Sequence, residues 1–318
     1  MFRLHLIPYG TKFDIVGKTK YLLTIAVILV MTAIAAVTFK GLHYGIDFKG
    51  GYTFEVTMPN DPDIPNLRDK LSNLGLGEVV IQQFGAKKDI MIKLERSKES
   101  GGQETAIKKV KDSLGEGVTY KCIQTVGAKV GEELVSNAIK AVLFAMIAML
   151  LYIAIRFEWQ FGVCAIAALV HDCAIIFGMF SLFPLEFSET SITAILLTAA
   201  YSINDTVVIF DRIRENLKRF KKMPLKDLIN QSLNETLSRT TLTATTTLLA
   251  VLALYLFGGK VIASFALPIM VGIFVGTFSS IFVASPLLIY LNISRRDDKE
   301  DGDSKKDEYS MPANIRRP

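Results

Sequence analysis

Six apolar runs, each long enough to cross about 30 Å of hydrocarbon, leave this 318-residue chain few folds to choose from. They are Tyr21–Phe39, Ala138–Ile155, Phe161–Phe183, Thr190–Phe210, Thr241–Phe257 and a long last one within Val261–Ile293. The bilayer interior offers no water to backbone N–H and C=O groups, so each run must be a helix that satisfies those groups internally. The first run contains Ala33-Ile34-Ala35, which has the look of a signal-peptide cleavage site. It is nevertheless longer than the roughly 7–15-residue apolar core of a signal peptide and continues to Phe39, so it reads as an uncleaved span.

Short loops set the orientation, because Lys and Arg accumulate on the cytoplasmic side. Arg3, Lys12, Lys18 and Lys20 precede the first span, and Arg156 borders the turn between the second and third. Arg212, Arg214, Lys218, Arg219, Lys221, Lys222 and Lys226 follow the fourth, and Arg295 and Arg296 follow the last. The turn Pro184–Glu189 holds two glutamates and no basic residue. Both termini are therefore expected in the cytoplasm, with residues 1–20 as an N-terminal segment and 40–137 as an outer domain. The net charge of +5 is accounted for by this flanking pattern, and nucleic acid is not expected as a partner. The three cysteines, Cys122, Cys164 and Cys173, have no metal or redox spacing.

The outer segment alternates two periodicities. Strands are expected at Ile46–Met58, Val79–Gln83, Ile90–Leu94 and Val118–Gln124, from their alternation and β-branched content. Helices are expected from Ile64 to Leu74, where Leu67, Leu71 and Leu74 share a face, and from Thr105 to Leu114. Gly75 and Gly115 stand where helices should stop. The order β-α-β-β-α-β predicts a ferredoxin-like α+β domain between the first and second spans of an α-helical membrane protein. Such a domain is a scaffold and names no function. On the other side, residues 211–239 carry Leu225, Leu228, Ile229, Leu233 and Leu237 at helical spacing. They read as an amphipathic helix against the cytoplasmic face of the five-helix region 138–293. The tail 294–318 reads as disordered.

Asp205 stands inside the fourth apolar run. A carboxylate at membrane depth costs about 2.5–3.5 kcal/mol on insertion scales, so it reads either as a group kept for an ion, a counter-charge or chemistry or as a structural hydrogen-bonding group between helices. Thr198, Tyr201 and Asp205 fall on one helical face, with Ser202, Asn204 and Thr206 around them. In the third run, His171-Asp172 lies near mid-membrane, suited either to passing a proton or to orienting a neighbouring helix. Arg239 precedes the fifth span, where it either snorkels to water or reaches Asp205 as counter-ion. Threonines 240, 241, 243, 245, 246 and 247 give that span a small hydrogen-bonding surface. Gly45-Ile46-Asp47-Phe48-Lys49-Gly50-Gly51 opens the outer domain, its glycines permitting a tight connection. It lacks the Gly-Lys-Ser/Thr ending of a phosphate loop.

Taken together, Gly45-Ile46-Asp47-Phe48…Gly50-Gly51, Arg156-Phe157-Glu158-Trp159, His171-Asp172, the run Ser202–Glu215 and Asn234-Glu235-Thr236-Leu237-Ser238-Arg239-Thr240 carry a resemblance. They are similar to the SecF family of the bacterial SecD–SecF protein-export complex, within the resistance–nodulation–division superfamily. Lys49 departs from that pattern, where a small polar residue is common. The resemblance implies a proton-driven accessory of the Sec translocase in the cytoplasmic membrane, with no covalent chemistry and no cofactor. It implies SecD, the SecYEG channel, YajC and preprotein substrates as partners, within the lipid bilayer. The candidate proton-pathway residues are then Asp205 and Arg239, with Asn204, Thr243, Asp172 and His171 beside them. The junction set is Gly45, Asp47, Gly50 and Gly51.

Other classes remain open on the residues alone. An intramembrane aspartyl protease would use Asp172 and Asp205, though neither lies in a Gly-x-Gly-Asp sequence and Arg239 favours an ionised carboxylate. A lipid or small-molecule transporter and a purely structural subunit are the others. A carboxylate among hydroxyls also suits sodium as well as protons.

Overall fold

The computed structural model describes residues 13–83, 86–95, 103–183, 185–291 and 293. The expected disordered tail and the basic residues Arg3 and Lys12 lie outside the described residues. Among those described, six helices are long and apolar enough to cross a membrane: Val16–Lys40, Val130–Arg156, Trp159–Leu182, Glu189–Arg219, Leu225–Phe257 and Ile262–Tyr290. In chain order the elements are α1 (Thr19–Lys40), α2 (Ile46–Lys49), β1 (Gly51–Thr57), α3 (Ile64–Ser72), β2 (Val79–Gln83), β3 (Asp89–Glu95), α4 (Gln103–Leu114) and β4 (Thr119–Val126). They continue with α5 (Ala128–Arg156), α6 (Trp159–Leu182), α7 (Glu189–Arg219), α8 (Leu225–Phe257), α9 (Gly259–Ser279), a π-turn at Ser280–Ala284, and α10 (Ser285–Tyr290).

The inserted domain is a four-stranded antiparallel sheet in the order β2-β3-β1-β4, the arrangement expected of a ferredoxin-like split motif. Alternation decides its two faces. Phe54, Val56, Ile90, Ile92 and Leu94 point to α3 and α4 and pack on Leu67, Leu71, Ala106 and Val110. The opposite face carries Thr53, Glu55, Gln82, Lys93 and Gln124, which line a cleft of about 500 Å³ together with Glu186, Ser188 and Ser191 of the helix bundle. Gly75 and Gly115 take positive φ just past α3 and α4, as helix-stopping glycines do.

The first strand is shorter than its alternation predicts. Ile46–Lys49 forms a helical turn, and β1 begins only at Gly51. The reason is local: Gly45 is extended, Gly50 has φ +82°, and between them Ile46 and Phe48 are buried. Phe48 packs on Phe187 of the bundle, and Gly45 N–H donates to the Phe187 carbonyl at 2.9 Å.

In the bundle, α6, α7 and the last span form the buried interior, while α1, α5 and α8 lie outside them. α1 packs on α6, where Gly178 faces Ala33 closely and the Ser181 hydroxyl donates to the Ala36 carbonyl at 2.8 Å. The polar stretch 211–239 is not a separate surface helix. α7 continues unbroken to Arg219, and α8 starts at Leu225 and runs straight into its apolar half. Leu228, Ile229 and Leu233 face Ile209, Phe210 and Ile213 across this end of the bundle. Their apolar stripe is thus satisfied by a neighbouring helix and not by a membrane surface. Asn216 Nδ2 donates to Ser232 Oγ at 2.9 Å and to Glu235 Oε2 at 2.8 Å, and Arg212 Nε donates to Glu235 Oε2 at 2.6 Å.

Candidate functional site

α7 is started by a reciprocal cap between Ser188 and Ser191, which satisfies two backbone donors at its first turn. From there the face carrying Thr198, Ser202, Asp205 and Thr206 turns inward, and all four are buried. Close approach of the last span makes room for this face. A Cβ placed on Gly272 would overlap Thr198, and one on Gly276 would stand 2.8 Å from Ser202 Cβ. Two glycines four apart let backbones approach, as small residues do in membrane helix pairs.

Two carboxylates sit in this interior. Asp205 is 3% exposed and accepts a long hydrogen bond, 3.4 Å, from Thr277 Oγ1 of α9. Among the described residues the buried Tyr201 hydroxyl has no hydrogen bond of good geometry, although Asp205, Thr277 and Thr243 all stand near it. Asp172 is wholly buried, and both of its oxygens are occupied. Oδ1 lies 2.9 Å from His171 Nδ1; Oδ2 accepts from Ser202 Oγ at 2.5 Å and Ser279 Oγ at 2.8 Å. Ser280, next in the chain, is 2.8 Å from Thr206 Oγ1 and donates to the Ser202 carbonyl at 3.2 Å. His171 Nε2 is buried without a partner among the described residues, its ring stacked on Phe278. Asp172 and Asp205 thus accept from different hydroxyls, Asp172 from Ser202 and Ser279 and Asp205 from Thr277.

The other expected residues divide. Thr243 is half-buried near Tyr201, its hydroxyl returned to the carbonyls of Arg239 and Thr240. Arg239 is exposed on α8 and makes no ion pair within 4 Å among the described residues, though its charge is felt at Asp205 from the adjacent helix. Asn204 is exposed on α7 and does not enter the interior cluster. This follows from helix geometry, which turns adjacent residues about 100° apart. At the junction, Gly45 and Gly50 shape α2, and a Cβ on Gly51 would overlap the Leu94 carbonyl of β3. Asp47 lines the cleft beside Glu186.

Thr277, Ser279 and Ser280 were not singled out by sequence reasoning. The signal was present as Gly272-Ile-Phe-Val-Gly276-Thr277-Phe278-Ser279-Ser280 inside an otherwise apolar run. The π-turn that follows marks the same place, and π-turns often accompany functional positions. Phe187, which anchors the junction to the bundle, was likewise missed. No cluster of His, Cys, Asp and Glu suited to a metal ion is present among the described residues.

A bundle of six membrane-crossing helices with an inserted ferredoxin-like domain, a glycine junction and interior carboxylates defines a class of polytopic membrane protein. Comparison with known proteins says which. The family described as protein export membrane protein SecD/SecF, C-terminal, matches residues 106–294, and the SecD/SecF GG motif matches residues 35–58. The protein translocase subunit SecF of Rickettsia rickettsii is 42% identical over 292 residues, covering 91% of this chain and 94% of that protein. The SecF subunit of Rickettsia bellii is 41% identical, covering 91% and 96%. The crystal structure of SecDF from Thermus thermophilus, a translocon-associated membrane protein, superposes with a TM-score of 0.77 at 40% identity. It is matched over 89% of this chain, which spans 39% of the length of the SecDF chain. A second SecDF structure, in a super-membrane-facing form, gives a TM-score of 0.70 at 38% identity, over 96% of this chain and 41% of that one.

The chain belongs to the SecF family of protein translocase subunits.

Proposed function

We propose that this subunit uses the proton-motive force to promote preprotein translocation and release at the outer face of the cytoplasmic membrane. It does so in complex with a SecD subunit and at the SecYEG channel, with YajC as a further associate. The SecDF chains it resembles are more than twice as long, which supports a partner supplying the remaining helices. Both termini are in the cytoplasm and the sheet domain is outside, the orientation that the basic loops favour.

The observation that carries the reading is Asp205: a carboxylate held 3% exposed beside Tyr201 and Thr277, with the charge of Arg239 on the next helix. Proton uptake removes its attraction for Arg239 and so biases two packings of α7 against α8. A proton crossing the full field supplies about 2.3 kcal/mol per 100 mV, enough to shift such an equilibrium about fiftyfold. Tyr201 stands beside the carboxyl and Thr243 beside Tyr201, Asn204 is exposed on α7, and Asp172 and His171 lie on α6, joined to α7 through Ser202. The motion reaches the outer domain through Gly45–Gly51, tied to the bundle by Gly45 N–H on Phe187, and through β3, whose Lys93 Nζ lies 3.4 Å from Glu186. Replacing Asp205 by Asn and measuring gradient-stimulated export tests the reading; undiminished stimulation sinks it.

A sodium-coupled version has support in the hydroxyls of Tyr201 and Thr277 beside the same carboxylate, with Thr243 next to Tyr201. Export driven by a sodium gradient with the proton gradient collapsed separates the two.

A further inference from the structure

The two carboxylates hold the bundle in different ways. Asp172 draws three helices onto one side chain: His171 and itself from α6, Ser202 from α7 and Ser279 from the end of α9. Ser280 closes the same contact from behind, on Thr206 and on the Ser202 carbonyl. Breaking a buried hydrogen bond in a low-dielectric interior leaves an unsatisfied group, at a cost well above the bond's own net contribution. These helices are therefore held in register.

α8 is fastened differently along its length. Its first half is tied to α7 by the Arg212–Glu235 and Asn216–Ser232 contacts. Beyond Thr240 its hydroxyls turn back on their own helix: Thr243 to Arg239 and Thr240, Thr246 to Leu242 and Thr243, Thr247 to Thr243. Apart from Thr243 beside the Tyr201 hydroxyl, what remains against the neighbours is apolar packing, Ala244 and Val251 beside Ile269, Ile273 and Phe265. Such contacts slide without stranding a polar group.

We propose that Asp172 is a positioning residue that pins α6, α7 and the last span into one rigid body. Residues 240–257 of α8 are then the element that moves when Asp205 changes charge. The second half of this statement rests on the proton-coupling reading above; the first half does not. The titratable groups facing Asp205 are Tyr201 on its own helix and Arg239 on α8. α6 brings His171 and Asp172 to Ser202 of the same helix as Asp205, and among the described residues α9 offers the hydroxyl of Thr277.

The test uses the full chain, purified with the subunits that accompany it, its three cysteines replaced, in proteoliposomes. One spin-label pair, Val170→Cys with Phe274→Cys, reports α6 against α9; another, Val170→Cys with Leu249→Cys, reports α6 against α8. All three positions are exposed. Between mildly acidic and alkaline pH the α8 distance is expected to shift by about 2 Å or more, the scale of helix shifts in switching proteins. The α9 distance stays fixed. Asp172→Ala broadens the α9 distance and lowers gradient-driven export. Asp172→Asn, whose amide oxygen still accepts from both serines, largely restores the two, whereas a proton carrier would be disabled equally by either change. An α9 distance that moves with pH, an α8 distance that does not, or equal damage from Ala and Asn overturns the proposal. An α8 shift that persists in Asp205→Asn would instead count against Asp205 as the proton site and leave the pinned body standing.

Discussion

Gly276 of the last span lies so close to Ser202 of α7 that an added methyl would stand 2.8 Å from Ser202 Cβ and 3.3 Å from its Cα. The contact lets Ser279 and Ser280, one turn further on, reach Asp172 and Thr206. Gly276→Ala should therefore lower stability in detergent by about 1–3 kcal/mol, the usual range for overpacking a filled site. Gly127→Ala is the control, since nothing lies within 4 Å of its Cβ position and its φ is −71°. Thermal unfolding of the two variants side by side checks this: equal melting would show that α7 and the last span have slack.

At the junction, Gly50→Ala and Gly51→Ala should differ in degree. Gly50 occupies φ +82° and ψ 144°, a sparsely populated conformation that costs a residue with a Cβ about 1–3 kcal/mol. Gly51 has an ordinary backbone, but its Cβ would overlap the Leu94 carbonyl and push β1 off β3. The Gly51 variant is expected to be the more protease-sensitive in residues 40–127, judged by limited proteolysis of the full chain. The opposite order would mean that the junction is loose where β1 begins.

The sheet domain should show an acid-sensitive edge. Thr57 Oγ1 donates to Asp89 at 2.5 Å and Lys121 Nζ stands 2.9 Å from the same oxygen. The Thr57 hydrogen bond first, then the Lys121 contact, hold the Asp89 carboxyl below its ordinary value of 3.8. A lowered folded-state value stabilises above the ordinary value, and that contribution is lost as pH falls through the lowered one. Amide exchange at β1 and β3 should accelerate over that acid range, and Thr57→Val should shrink the pH-dependent part. A Thr57→Val chain with unchanged acid sensitivity would contradict the assignment.

Much of this architecture was legible because membrane depth and strand alternation are periodic. The Val79–Gln83 strand and the six helices follow from hydropathy and side-chain alternation alone. The misread places share a cause. The polarity change after Phe210 marks where α7 leaves the apolar region, but backbone hydrogen bonding has no reason to stop there, and the helix runs on to Arg219. Ile46 and Phe48 alternate like a strand, yet they are buried by the bundle through a helical turn that only the Gly45 and Gly50 conformations reveal. Within the site, Asp205 and Asp172 stood out as charges in apolar runs. Their partners Thr277, Ser279 and Ser280 did not, because a serine in a hydrophobic helix is unremarkable until the carboxylate it meets, about a hundred residues away, is folded against it.

The most direct measurement is export of a preprotein into inverted membrane vesicles, with and without an imposed proton gradient, carrying either the wild-type chain or Asp205→Asn. The asparagine keeps the size of the side chain and its hydrogen bond from Thr277, but it can neither bear charge nor release a proton. Stimulation by the gradient should vanish while the gradient-independent background persists. Full stimulation in the Asp205→Asn vesicles would contradict the account.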